Sequence, residues 1–515
     1  MSADLSAHPL SDHVVVESLG ADLRAAGYDS EGVSALLGEE AEAALAAGLW
    51  WPAQRACAAA ARRSPALVAL IRLFLLAEAL DESVVREGFP TTSVADLLTQ
   101  GVLERVADTE YRSILDIRPY ADDAGTYLLI SDQDTGLRDG PVNHDHVLGV
   151  GGASISLARA VIRRPARRAL DLGTGCGVQA LHLAAHAEDV VATDTNDRAL
   201  ALASATARLN GMTWDLRNGS LFEPVHGEQF DLIISNPPFV VSAGAQDYIY
   251  RDSGVSGDRL CAKLIADLPA HLAPGGTATV LANWMVFDAD DWQARPREWF
   301  ADYPLDVWLV QRDLADPISY ISLWLADAGE PADVLVARAG AWADWFDANG
   351  VVGIGMGVIT LRAKDIGDDS APVHILEEIT GAGEEVTGPE AEAFLARQRY
   401  LAEVTDADLL ALPLSTAPVL LEEQSLPGEQ GWQTISHVVR RPGGPGAVLG
   451  LDEVSKALLA GCRGEVPLGT LIELLAGYHG VEADALAQAA MPVVREAIGR
   501  GILHEVSRPP GKSSE

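Results

Sequence analysis

The sequence predicts an α/β fold, a doubly wound sheet set between two mainly helical modules, and three observations carry that expectation. Between about Asp145 and Gly329 short β-rich runs alternate with helical runs, the pattern of parallel strands joined by crossovers. The segments before and after show helical spacing with few strands. A glycine-rich stretch, Asp171-Leu172-Gly173-Thr174-Gly175-Cys176-Gly177, sits where a strand gives way to a helix.

In order along the chain, Leu19, Leu23, Val33, Leu36 and Leu37 fall near helical spacing, and an Ala-rich helix follows around Glu40 to Gly48. Ala66 to Leu80 is apolar on most faces and predicts a buried helix, too short to span a bilayer and interrupted by Arg72 and Glu78. In Phe89-Pro90-Thr91-Thr92-Ser93 a Ser or Thr caps a helix over Val94 to Gln100. Arg112 to Ile117 and Tyr127 to Ser131 read as strands, so residues 1–140 predict a winged-helix-like module. The central domain, 141–365, is expected to hold strands at Ala169–Leu172, Val190–Thr193, Asp231–Ser235, Ala278–Ala282, Val307–Gln311 and Ile321–Leu325. Helices over Val178–His186 and Ala199–Asn210 join the first three. Pro331 to Asn349 predicts an amphipathic helix beginning at Pro331, and Val351 to Ala363 a glycine-punctuated strand. Residues 366–450 are expected to be a linker or irregular segment, since Lys364 to Pro389 is rich in Gly, Glu and Asp. Residues 451–508 predict a second winged-helix-like module closed by a strand over Ile502–Val506, and Pro509 to Glu515 a disordered tail.

At 515 residues the chain exceeds what one hydrophobic core supports. Its formal charge is -37, and only four of its 37 basic residues are Lys. Such a surface repels phosphate backbones, which disfavours nucleic acid as a partner. The local exception is Arg159, Arg163, Arg164, Arg167 and Arg168, which read as a solvated helix end. No membrane segment is evident, and Cys57, Cys176, Cys261 and Cys462 lack metal-site spacing, as expected of reduced thiols in a cytoplasmic protein. His144 and His146 lack a third ligand at useful spacing, so no metal is expected.

Two stretches carry chemistry. In the first, three alternating glycines let the backbone turn tightly and approach a ligand closely. Asp171 ends its strand aimed at the crevice, able to face an ammonium group. Asp194 ends the next strand, 194 − 171 = 23 residues on, where a carboxylate can accept both hydroxyls of a ribose. A nicotinamide-type fingerprint would read G-x-G-x-x-G, whereas this one reads D-x-G-x-G-x-G. The second stretch is Asn236-Pro237-Pro238-Phe239 at the end of the Asp231 strand. A planar amide or aryl amine has a delocalised lone pair and is a poor nucleophile. The Asn236 Oδ1 and the Pro237 carbonyl can accept its two N–H bonds and orient it, in a loop whose prolines donate no competing bond. Phe239 can stack on the planar group.

Asp171 to Gly177 resembles motif I of the class I S-adenosylmethionine-dependent methyltransferases, and Asp194 matches that family's ribose-binding position. The resemblance implies a Rossmann-like methyltransferase sheet and S-adenosyl-L-methionine as cofactor. The implied binding residues are Asp171, Gly173, Thr174, Gly175, Gly177, Asp194, Thr195, Ser220, Leu221 and Asn236. Asn218-Gly219-Ser220-Leu221-Phe222 resembles the next motif, but relatives usually carry Asp where Ser220 stands. Adenine is then left to the Ser220 hydroxyl, the Leu221 amide and packing. N-P-P-[FYW] marks methyltransferases acting on nitrogen, among them release-factor glutamine methyltransferases and RNA or DNA amine methyltransferases. The resemblance thus implies an N-methyltransferase with Asn236, Pro237, Pro238 and Phe239 as catalytic residues. A protein glutamine amide is the first reading of its acceptor; an exocyclic amine of RNA or DNA, or a small molecule, is the alternative. Relatives place residues that close over the cofactor near Asp145-His146-Val147-Leu148-Gly149. Tyr248 to Asp258 reads as a substrate loop with Arg251 and Asp258 as contacts.

Overall fold

The computed structural model describes residues 8–137, 143–244, 249, 254–326, 331–379, 384–429, 431–445 and 447–505. The chain divides into two units, one of Met1–Ala158, Arg163–Pro304 and Asp313–Asp368, the other of Arg159–Ile162, Leu305–Arg312 and Asp369–Glu515.

In the first unit, the strand Leu80–Asp81 is followed by helices Glu82–Gly88 and Val94–Thr99, then by strands Leu103–Arg105 and Glu110–Ser113. The last strand lies between the other two, antiparallel to both. The Ser93 hydroxyl accepts the Asp96 N–H at 3.1 Å and starts the second helix. The apolar run expected as one helix is shorter than its hydrophobicity suggests. Helix Pro65–Leu70 widens into a π-turn over Ile71–Leu75, Ala77 turns left-handed at φ 48°, and Leu80 is already paired with Tyr111.

A hairpin of Leu115–Ala121 and Thr126–Asp132 leads to the central sheet. Within this unit the sheet strands are β1 (Ala166–Leu172), β2 (Ala187–Asp194), β3 (Asp215–Asn218), β4 (Phe230–Ser235), β5 (Leu272–Val286) and β6 (Gly353–Arg362). They lie in the order β6-β5-β4-β1-β2-β3, parallel except for β6 against β5. Helices α1 (Val178–Ala184), α2 (Asp197–Leu209) and α3 (Arg259–His271) make the crossovers. From β1 the chain winds first toward β3 and then, from β4, the other way, so the order reverses between β1 and β4. This is the α/β class the sequence predicts. Leu170, Val191, Ala192, Ile233 and Ile234 are buried, as befits strands covered on both faces.

One expected strand is a helix. Ile321–Leu325 lies inside α4 (Pro317–Ala326), which is followed by α5 (Ala332–Ala348). The Asp316 carboxylate accepts the Ile318 and Ser319 N–H groups at 2.9 and 3.0 Å, and Pro317 occupies the first turn. A short apolar run has no decisive period of its own, and the cap settles the outcome.

The second unit overturns the expected linker. His374–Glu378 pairs in parallel with the strand beginning at Asp306, and Gly388–Glu403 and Asp406–Ala411 are helices. Leu420–Gly428, Gly431–Arg440 and Val448–Leu451 form an antiparallel ribbon. Helices Glu453–Gly461, Leu468–His479 and Ala483–Gly499 then precede a strand, Leu503–Glu505, that pairs with Leu414–Thr416. Leu409 and Leu414 share one apolar core with Leu468, Val494 and Ile502. The module therefore draws on chain well before the expected boundary at 451. Pro509 to Glu515 lies outside the described residues.

Candidate functional site

β1 and β4 are neighbours in register, with Leu172 opposite Ser235. The Ser235 hydroxyl donates to the Leu172 carbonyl at 2.7 Å and fastens the two strand ends. The chain leaves them side by side as Gly173 and Asn236; a Cβ built on Gly173 would lie 3.9 Å from the Asn236 carbonyl oxygen. The glycine loop and the Asn-Pro-Pro-Phe segment, distant in sequence, thus meet at the carboxyl edge of the sheet where its order reverses. Open α/β sheets bind ligands at that point.

Gly173 and Gly175 take left-handed backbone, φ 80° and 56°, and a Cβ on Gly175 would meet nothing within 4 Å. The loop is open on that side. Gly177 differs: at φ 87° its Cβ would stand 2.6 Å from the Trp214 ring. It shapes the turn and lets α1 pack. The Gly173 and Thr174 N–H groups both donate to the Thr193 carbonyl at 2.9 Å, which ties the loop to β2.

Asp171 is fully buried. Its Oδ2 accepts from the Thr174 hydroxyl at 2.6 Å and the Ala180 N–H at 3.0 Å, and its Oδ1 has no hydrogen-bond partner. Burial pushes its carboxyl up to about 7, and the two donors offset this only in part. Asp194, half-buried, accepts the Gly175 N–H on Oδ2 and the Asn196 N–H on Oδ1, each at 2.9 Å. Each oxygen keeps a lone pair for a further donor. Burial raises this carboxyl too, opposed by those backbone donors.

Beside it, Thr195 is exposed and its carbonyl accepts from Asn218 Nδ2 at 3.2 Å. The Gly219 N–H donates to the Asp194 carbonyl at 3.0 Å, Ser220 is exposed, and Leu221 holds φ 47°. Left-handed backbone at a branched residue is strained, and such strain collects at ligand sites. Asn196 Nδ2 donates to the Asp145 carbonyl at 2.9 Å, which brings the Asp145–Gly149 segment to the end of β2. That segment is anchored below: the Val147 N–H donates to Asp132, which Arg198 also grips.

On the other side Asn236 is half-buried and its Oδ1 is a buried acceptor with no hydrogen-bond partner. Pro237 is buried, and Pro238 and Phe239 are half-buried. The Phe239 ring meets Trp324 of α4 edge-on, centroids 5.9 Å apart. Val240 and Val241 sink into a core with Tyr320, Phe346 and Ile354. The buried Tyr320 hydroxyl accepts from the Val241 N–H and from Asn283 Nδ2, both at 2.9 Å. Sequence reading missed Tyr320, Asn283 and Trp324: Trp324 lies in the run taken for a strand, Ile321–Leu325, and Tyr320 directly before it. Their signal is the i, i+4 pair Tyr320 and Trp324, which puts both on one side of a helix.

Tyr320→Phe is expected to cost about 2 kcal/mol of stability, since it leaves two buried donors unsatisfied. It is also expected to lower kcat roughly tenfold through the loosened loop, with cofactor affinity unchanged. Denaturant melts, turnover and calorimetry separate these effects. A loss of stability with kcat intact would limit Tyr320 to the fold.

Two further expectations are corrected or fall outside. Asp258 is buried and chelated by Arg295, with contacts of 2.9 and 3.1 Å, so it is a structural tie rather than a substrate contact. Arg251, like Tyr248, lies outside the described residues. Of the arginine cluster, Arg167 and Arg168 lie at the amino end of β1, away from the site, where Arg168 pairs with Glu228 at 2.6 Å and lies over Phe230.

Residues 149–286 match the family model described as methyltransferase small domain. Residues 25–114 and 392–505 match two models described as domains of unknown function, DUF7059 and DUF7782. A release factor glutamine methyltransferase of Xylella fastidiosa is 38% identical over 130 residues, 23% of this chain and 47% of that protein. A ribosomal protein uL3 glutamine methyltransferase of Xanthomonas campestris is 38% identical over 125 residues, 22% and 41%. A ribosomal RNA small subunit methyltransferase C of Alcanivorax borkumensis is 29% identical over 161 residues, 31% and 45%. The chain spans less than half the length of each of these relatives. Over its central third the similarity supports the S-adenosylmethionine-dependent methyltransferase domain that the two motifs imply.

Proposed function

We propose that this protein is an S-adenosylmethionine-dependent N-methyltransferase whose acceptor is a glutamine amide of another protein. The observation that carries the reading is the meeting of the open glycine loop with Asn236, whose buried Oδ1 awaits a donor. The residues present fit the cofactor. Gly173 and Gly175 leave room for close approach, Asp194 keeps lone pairs for ribose hydroxyls, and the orphaned Asp171 Oδ1 suits an ammonium group. Thr174, Thr195, Ser220 and Leu221 complete the proposed binding set. When bound, the cofactor supplies an electrophilic methyl on a sulfonium centre.

The chain's own residues handle the acceptor. Asn236 Oδ1 and the Pro237 carbonyl accept its two N–H bonds, which fixes the nitrogen and turns its lone pair out of conjugation. Neither Pro237 nor Pro238 has an N–H to compete. Phe239, steadied by Trp324, covers the planar face. We assign the 25–114 and 392–505 modules to partner contact. A protein acceptor is favoured over nucleic acid by the -37 charge and by Arg167 and Arg168 lying at the amino end of β1, opposite the site. Two of the relatives above are named for glutamine methylation of proteins. We place the protein in the cytoplasm, in keeping with four free, buried cysteines; among the described residues no helix is long and apolar enough to cross a membrane.

Incubating the protein and methyl-labelled cofactor with cell extract, then digesting with protease or nuclease, tests the acceptor class. Label lost to protease and resistant to nuclease supports a protein acceptor; the reverse supports RNA or DNA.

Asp171 sets an expected pH dependence. Its folded value of about 7 lies above the ordinary aspartate value, so the neutral acid prevails below about 7 and the carboxylate above. A cationic cofactor gains from the carboxylate. Affinity is therefore expected to be full on the alkaline side and to fall as pH drops through about 7, by up to about tenfold per unit. Asp171→Asn is expected to flatten that profile in calorimetry. An unchanged profile would assign the dependence elsewhere.

A further inference from the structure

Helix α4 does two things at once. Tyr320 and Trp324 brace the Asn-Pro-Pro-Phe loop, while Asp316, one turn toward the amino end, lines a cleft. β4 and β5 run parallel with Ser235 opposite Val280, and β5 continues to Val286 beyond the edge where Asn236 emerges. The Val352 N–H donates to the Val286 carbonyl at 2.8 Å, closing the floor of the cleft. Its volume is about 290 Å³, and Val286, Leu314, Ala315 and Val352 form its apolar lining. Around it Phe287, Leu314, Ile318 and Val352 are 49%, 46%, 75% and 49% exposed, an apolar patch on a strongly acidic chain. Asp316 belongs to its lining, and the exposed Asp288, Asp290 and Asp313 adjoin the lining residues Ala289 and Leu314 in sequence.

We propose that this cleft docks an extended segment of the acceptor protein, one apolar side chain filling the cavity and flanking Lys or Arg residues meeting the aspartates. The proposal rests on the protein-acceptor reading given above. The volume is at the bottom of the range for small-molecule sites and suits a single anchoring side chain. Charge complementarity selects a basic segment, since aspartates beside a hydrophobic anchor attract cations and repel acidic competitors. A second copy of the chain, itself at -37, would bring like charges together there.

Two fluorescein-labelled twelve-residue peptides test this on the full chain, each with a central glutamine and two leucines, one otherwise rich in Lys and Arg, the other in Glu and Asp. By fluorescence anisotropy the basic peptide is expected to bind at least tenfold tighter at low salt, and the gap to shrink at high salt. The exposed pair Asp288→Asn with Asp313→Asn is expected to remove most of that preference, and Leu314→Ser to weaken both peptides, with cofactor affinity unchanged. Equal binding of the two peptides, or a preference that survives the double variant, overturns the proposal. So does a dimer in sedimentation that Leu314→Ser abolishes, because the cleft then belongs to a second copy. Selective binding without methyl transfer to the peptide's glutamine leaves the docking cleft standing and counts against the glutamine-acceptor reading instead.

Discussion

Asn236→Ala is expected to lower kcat for methyl transfer by about 10² to 10³-fold, the size of effect seen when one preorganised polar contact is removed from a reacting centre. Cofactor affinity is expected to stay within about tenfold, or roughly 1.4 kcal/mol. The two effects separate if, as proposed, Asn236 faces the cofactor loop through its backbone and the acceptor through its side chain. The Asn236 Oδ1 has no hydrogen-bond partner of its own, so its removal leaves no intramolecular donor stranded and folding is little affected. Single-turnover kinetics and calorimetry on the same preparation give the comparison. Loss of cofactor binding together with activity would mean that Asn236 serves the cofactor and not the acceptor.

The second large effect is expected from Asp194→Ala. Two charge-assisted bonds to ribose hydroxyls are together worth about 3 kcal/mol or more, and their loss is expected to weaken cofactor binding by about 100-fold. The same change frees the Gly175 and Asn196 N–H groups, loosening the glycine loop in the same direction. Asp194→Asn separates the contributions partly, because an amide keeps one acceptor but turns an NH₂ toward donors that a carboxylate satisfied. Its affinity is expected to fall between wild type and Ala. Calorimetric affinity unchanged in either variant would remove Asp194 from the ribose position.

The two motifs that meet at the sheet edge were legible in the sequence because each closes a strand with particular residue types. Alternating glycines, a carboxylate closing the next strand and Asn-Pro-Pro-Phe closing a third are each weak signals alone and point to one chemistry only in combination. What holds them was not legible. Tyr320 acts on Val241 and Asn283 across 79 and 37 residues, and its helical spacing with Trp324 names neither partner. Asp258 reads as a charged loop residue until Arg295, 37 residues on, is brought against it.

The same division runs through the fold. β1, β2 and β4 are buried on both faces and appear as continuous apolar runs bounded by turns. Ile321–Leu325 is just as apolar, and only the Asp316 cap declares it helical. The ribbon at Leu420–Gly428 is exposed on both faces, so no alternation of apolar and polar residues announces it. The Glu390 carboxylate that joins Arg397 and Arg441, both at 2.6 Å, looks in sequence like one more acid in a polar stretch.

The most direct measurement is tandem mass spectrometry of protein labelled by this chain and methyl-deuterated cofactor in cell extract. A single CD₃ group on a glutamine side-chain nitrogen, absent from the Asn236→Ala reaction, is the result required if Asn236 and Pro237 hold a planar amide before the cofactor loop. Label on a carboxylate oxygen, a carbon or a thiol, or label undiminished by Asn236→Ala, would contradict it.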